Sequence, residues 1–146
     1  MASISGSEVV PAPVVVDASV WVAFFVATDV NHATSRNWID SHTRASGMLV
    51  APSILLTEVA AALSRRLGRP QLALEVVGSL SRLTLLRIVQ MDTALMTQAT
   101  GIAANYRLRG ADAIYVAAAK QLGIALLTWD TEQLTRPASI ITALTP

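Results

Sequence analysis

The chain has 146 residues, 53% hydrophobic and 14% charged, with a formal net charge of +1. That length and composition predict one globular domain able to bury a real core, and they exclude a disordered chain. No cysteine is present, which removes disulfides, thiolate zinc sites and cysteine nucleophiles, and the two histidines, His32 and His42, are too few for a multi-histidine metal site.

Residues 1–13 include several small residues, Glu8 and two prolines, and read as a flexible lead-in to a domain over 14–146. Val14, Val15 and Val16 form an unbroken β-branched run ending on Asp17, the pattern of a strand buried on both faces. Asp17 then stands at the carboxyl end of a strand, where parallel sheets bind ligands. It equally suits the cap of the next helix, alone or with Ser19. A short helix is expected over 20–27, a turn over 28–31 with Asp29 and Asn31 as cap candidates, and a second helix over 32–44 stopped by Gly47. A second strand follows at 48–51. Ser53 is expected to cap a helix over 54–67, which Gly68 and Pro70 separate from another over 71–80. The remaining elements are a strand at 84–89, a helix at 93–106, a turn at 107–110, a helix at 111–122 ended by Gly123, a strand at 125–128, a helical turn at 130–134 and an edge strand at 139–142. Alternating short apolar strands and helices predict an α/β fold with a parallel sheet covered on both faces.

The longest apolar run, 20–27, is far below the ~20 residues that span a bilayer. No basic residue precedes Arg36, so no charged region leads that run as in a signal peptide. The expectation is a soluble, cytoplasmic protein with no membrane association.

Four of the ten acidic residues stand in apolar settings at or near strand ends and helix starts: Asp17, Glu58, Asp112 and Asp130. Each has an ordinary reading. Glu58 pairs with Arg65, seven residues on; Asp112 favours a helix N-terminus through the macrodipole; Asp130 forms a capping box with Gln133. One chemistry unites all four. Clustered carboxylates repel one another, and a hard cation such as Mg²⁺ or Mn²⁺, bound by oxygen, offsets that repulsion and activates water against a phosphodiester. Arg65, Arg66, Arg69, Arg107 and Arg109 are candidates to hold phosphates or to form a solvated face. Trp129 either stacks on a base or packs beside the strand end. Phe24, Phe25 and the Leu-rich helices over 54–67 and 71–80 belong either to the core or to a partner surface.

The segments 14–19 (Val-Val-Val-Asp-Ala-Ser), 57–60 (Thr-Glu-Val-Ala), 109–116 (Arg-Gly-Ala-Asp-Ala-Ile-Tyr-Val) and 127–130 (Leu-Thr-Trp-Asp) resemble the four acidic motifs of PIN-domain ribonucleases, most closely the toxin subunits of VapBC toxin–antitoxin pairs. The likeness runs over about 14–142 with the motifs in order. It implies a three-layer α/β/α sandwich with a central, mostly parallel sheet. It implies that Asp17, Glu58 and Asp112 bind Mg²⁺ or Mn²⁺, with Asp130 as the more variable fourth acid and Ser19 and Thr128 in support. It further implies endonucleolytic cleavage of RNA, a homodimer, and inhibition by a cognate antitoxin. Two rivals stand beside it. One is a PIN-like module that binds RNA or protein without cutting. The other is a haloacid-dehalogenase-type phosphatase, disfavoured because Ser19 occupies the place of that family's second aspartate.

Overall fold

The computed structural model describes residues 9–146; residues 1–8, most of the expected lead-in, lie outside the described residues. Elements run in the order β1 (Val14–Val16), α1 (Ala18–Phe25), α2 (His32–Arg44), β2 (Leu49–Pro52), α3 (Ile54–Leu67), α4 (Pro70–Ser81), β3 (Leu86–Val89), α5 (Thr93–Tyr106), α6 (Gly110–Leu122), β4 (Ala125–Leu127), α7 (Thr131–Thr135) and β5 (Ala143–Leu144). The five strands form one sheet in the order β3-β2-β1-β4-β5, and every pairing is parallel.

β1 is the central strand, and its three valines are buried on both faces, as their uniform apolarity requires. Each such side chain removed from water contributes about 1.5–3 kcal/mol. α6 packs across β1, β2 and β4, with α5 against it, while α3 lies against β2, α1 and α4. The result is a three-layer α/β/α sandwich. In α6 every residue from Ala113 to Ala119 is buried, and four of these seven are alanine, which lets the helix sit close to the sheet. Among the described residues no helix is long and apolar enough to cross a membrane.

Several boundaries differ from the sequence expectation, each for a local reason. α1 begins at Ala18, because Asp17 and not Ser19 is its cap: an Asp17 carboxylate oxygen accepts from the Ser19 N–H at 2.9 Å. Ser53 precedes α3 without a side-chain capping bond. The expected edge strand at 139–142 is instead a turn. There Ile140 and Ile141 donate their N–H groups back to the Pro137 carbonyl, at 2.9 and 3.1 Å. The strand forms two residues later, where Ala143 and Leu144 pair with Leu126 and Leu127.

From β1 the chain moves outward to β2 and β3, then returns to the other side of β1 for β4 and β5. The strand order therefore reverses between β1 and β4. In open parallel sheets the crevice beyond the carboxyl ends at such a point is the natural ligand site.

Candidate active site

Asp17 follows the last residue of β1, and Thr128 follows the last residue of β4, so the two flank that crevice. Asp17 is 5% exposed. One of its oxygens takes the Ser19 N–H, and the other accepts from Gln133 Nε2 at 3.3 Å. Thr128 is fully buried; its hydroxyl donates to Gln133 Oε1 at 2.6 Å, accepts the Asp130 N–H at 2.9 Å, and lies 3.4 Å from both Asp17 Oδ2 and Ser19 Oγ. Ser19 Oγ in turn accepts the Trp129 N–H at 3.1 Å. Ser19 thus braces the segment after β4 rather than capping α1.

The other acids arrive from three helices. Glu58 projects from the second turn of α3, and its Oε1 accepts from the Tyr115 hydroxyl of α6 at 2.7 Å. Its polar partner is therefore Tyr115 and not Arg65. Asp112 lies in the first turn of α6. Asp130 caps α7, with Oδ1 accepting the Gln133 N–H at 2.9 Å. Arg109 joins the last two: its Nε is 3.3 Å from Asp112 Oδ2 and its Nη2 is 3.4 Å from Asp130 Oδ2.

Burial and mutual repulsion leave the carboxyls of Asp17, Glu58 and Asp112 reluctant to ionise. Burial raises Asp17 above its ordinary value, with the Asp130 charge adding to it, against the hydrogen bonds from Ser19 and Gln133. Glu58 is raised by burial and by the charges of Asp17 and Asp112, against the Tyr115 bond. Asp112 is pushed up to about 6, first by burial and then by Asp130 and Asp17, with Arg109 opposing. Burial and the neighbouring Glu58 push the Tyr115 hydroxyl upward, so it remains a donor.

Asp17, Glu58 and Asp112 line one cleft of about 630 Å³, together with Arg65, Arg66 and Trp129. Arg66 is engaged with Asp29 at 2.6 Å. Arg69 and Arg107 stand outside the cleft lining. A second depression of about 510 Å³, beside Lys120 and Ile140, has no acidic lining.

Among the described residues no three His, Cys, Asp or Glu side chains form a ready-made metal cage. The donor set nevertheless fits a hard divalent cation. It is all oxygen, its charges repel in a partly buried space, and it opens on a cleft that admits water and phosphate. Mg²⁺ keeps several waters and needs only one or two carboxylates plus substrate oxygens.

Gln133 and Tyr115, which hold Asp17 and Glu58, are not among the site residues that the sequence reading points to. Gln133 had a signal, its capping-box spacing from Asp130; Tyr115 had a weaker one, three residues after Asp112 on the same helix.

Comparisons with known proteins agree with this architecture. The model of the PIN domain family matches residues 14–138. No curated protein matches the chain by sequence. Among solved structures, VapC20 of Mycobacterium tuberculosis, a Sarcin-Ricin loop cleaving toxin, is similar at 22% identity and a TM-score of 0.76, covering 91% of this chain and 99% of its own. VapBC2 of Rickettsia felis, bound to a DNA fragment from its promoter, is similar at 11% identity and a TM-score of 0.69, covering 92% and 98%. PAE2754 of Pyrobaculum aerophilum is similar at 24% identity and a TM-score of 0.64, covering 92% of each chain. At these identities the likeness is one of fold.

Proposed function

The chain belongs to the PIN domain family, and from that premise we propose that it is the toxin of a type II toxin–antitoxin pair, a Mg²⁺- or Mn²⁺-dependent endoribonuclease acting in the cytoplasm. The observation that carries the proposal is the meeting of Asp17, Glu58 and Asp112, from three separate elements, on one cleft where each carboxyl resists ionisation. Carboxylates so arranged cost stability unless a cation joins them.

In this reading Asp17, Glu58 and Asp112 hold the cation, with Asp130 as the fourth acid. When bound, the cation supplies a more acidic water and stabilises charge on the phosphoryl group. The chain's own residues do the positioning. The Ser19 N–H and Gln133 Nε2 fix both oxygens of Asp17. The Tyr115 hydroxyl orients Glu58 through Oε1. Arg65, on the same cleft, suits a phosphate flanking the scissile bond, while Arg66 there is already paired with Asp29.

The reading includes a cognate antitoxin and a homodimer. Structures similar in fold include a toxin–antitoxin complex from Klebsiella pneumoniae and DNA-bound VapBC from Salmonella typhimurium. Leu67 at the end of α3 and Leu74 on α4 are exposed apolar side chains that suit an antitoxin helix.

The test is to incubate the purified chain with structured RNA and Mg²⁺ or Mn²⁺, beside an EDTA control and Asp17→Asn, which keeps the helix cap. Cleavage should require the cation and fall by about 100-fold or more in the variant, the scale lost with one group that stabilises transition-state charge. Cutting that survives both controls would overturn the mechanism. RNA bound but never cut would favour the binding module.

A further inference from the structure

The cleft has an apolar wall that carboxylate chemistry does not use. Trp129 lies between Thr128 and Asp130, and it lines the cleft with Val22 and Ile54. It is held at two points by different helices. Its backbone N–H donates to Ser19 Oγ of α1 at 3.1 Å, and its indole Nε1–H donates to Ser35 Oγ of α2 at 2.9 Å. Ser35 is itself fully buried, so the indole is pinned to a rigid point.

Trp21 shows what a tryptophan used for packing looks like here. It is 0% exposed, stacks with Phe25, and leaves its indole N–H without a partner. Trp129 is the opposite case: its N–H is satisfied, its orientation is fixed, and it is left half-buried beside the acids. A pinned indole meets an incoming flat ring without first losing side-chain freedom.

We propose that Trp129, with Val22 and Ile54, seats one unpaired nucleobase next to the phosphodiester held at the acidic cluster. This rests on the nuclease reading above and adds a requirement on its substrate. A nucleotide is divided as the cleft is, into an anionic phosphate and a flat, largely apolar base. Asp17, Glu58 and Asp112 face the first through the cation, and Trp129 receives the second. A base still paired in a duplex cannot present its face to the indole, so the substrate strand must be single-stranded or have one base turned out.

The test uses the best-cut RNA, shortened around its cut site, with Asp17→Asn chain so that binding is read without cleavage. Dissociation constants are measured for this background and for Trp129→Leu and Trp129→Phe within it. Melting temperatures check that each variant folds. Trp129→Leu should weaken binding by roughly 5- to 100-fold, the range of base stacking on an aromatic side chain, and Trp129→Phe should recover most of it. One abasic nucleotide at a time is then placed along the RNA. At one position it should weaken binding to the tryptophan form but leave Trp129→Leu unaffected, a coupling that a purely structural tryptophan would not give. RNA that is cut by the parent yet bound equally by Trp129→Leu, with no such position, overturns the nucleobase seat and leaves the nuclease standing. RNA that the parent neither cuts nor binds overturns both.

Discussion

Arg109 is the acidic cluster's own cation. It is 77% exposed, yet two of its nitrogens reach the half-buried carboxylates of Asp112 and Asp130. A pair this open to water adds little to stability. Its consequence is competition, since it occupies an oxygen of Asp112 that a divalent ion would use. Arg109→Gln should therefore tighten Mn²⁺ binding by about 3- to 10-fold, the effect of one screened charge, with folding little changed. A Mn²⁺ titration followed by electron paramagnetic resonance reads this directly, and equal or weaker binding in the variant would refute the competition. The same residues show what the sequence makes legible at this scale. Asp17 reads as either a cap or a site residue because it is placed for both: it caps α1 and lines the cleft. Gln133 is harder to see. Its spacing announces a cap for α7, but its contact with Asp17 depends on a segment more than a hundred residues away in the chain.

Elements depend on contacts that no local pattern carries. Gly47 reads as a helix stop, yet α2 has already ended at Arg44, and it is Ser46 that takes the left-handed conformation, with φ 62°. What Gly47 provides is room. A Cβ there would lie 2.5 Å from Nε2 of the His42 ring, which stacks on Trp38 and contacts the Met48 carbonyl at 3.0 Å. Gly47→Ala should displace that ring and loosen the entry to β2, costing about 1–3 kcal/mol as overpacking does. Urea unfolding measures it, and an unchanged midpoint would show that the ring moves aside freely. β5 follows the same rule. The apolar pair Ile140 and Ile141 suggests a strand, but Pro137 draws their N–H groups into a turn, and pairing passes to Ala143 and Leu144. β1 was legible because burial on both faces forces a uniform composition, whereas a two-residue edge strand has no composition of its own.

At the scale of the molecule, the strand order places the acids. Alternating strands and helices announce a parallel sheet, but only long-range packing puts β4 beside β1 and opens the crevice that Asp17 and Thr128 flank. Gathering carboxyls there sets how stability varies with pH. Asp112 ionises at about 6 in the fold, against an ordinary 3.8. Between those values the folded chain holds a proton that the unfolded chain has lost, so raising the pH through this window favours unfolding. Asp17 and Glu58 are raised as well and act in the same sense. Asp29 is opposite. Hydrogen bonds from Arg66 and the Asn31 N–H overcome its burial and hold it below its ordinary 3.8, so its contribution is lost only at lower pH, outside this window. Without divalent cations the chain should therefore melt at a higher temperature near pH 4.5 than near pH 7.5, and Asp112→Asn should reduce the difference. In the proposed reading a bound cation would replace the lost protons as the source of compensation. At about a hundredfold excess over Kd, Mg²⁺ or Mn²⁺ should raise the pH 7.5 melting temperature by roughly 5–10 °C, and much less at pH 4.5, where protons hold the same oxygens. Scanning calorimetry at the two pH values, with and without cation, checks both halves. A metal-free melting temperature that rises with pH and does not respond to Asp112→Asn would mean that the carboxyls do not share one field.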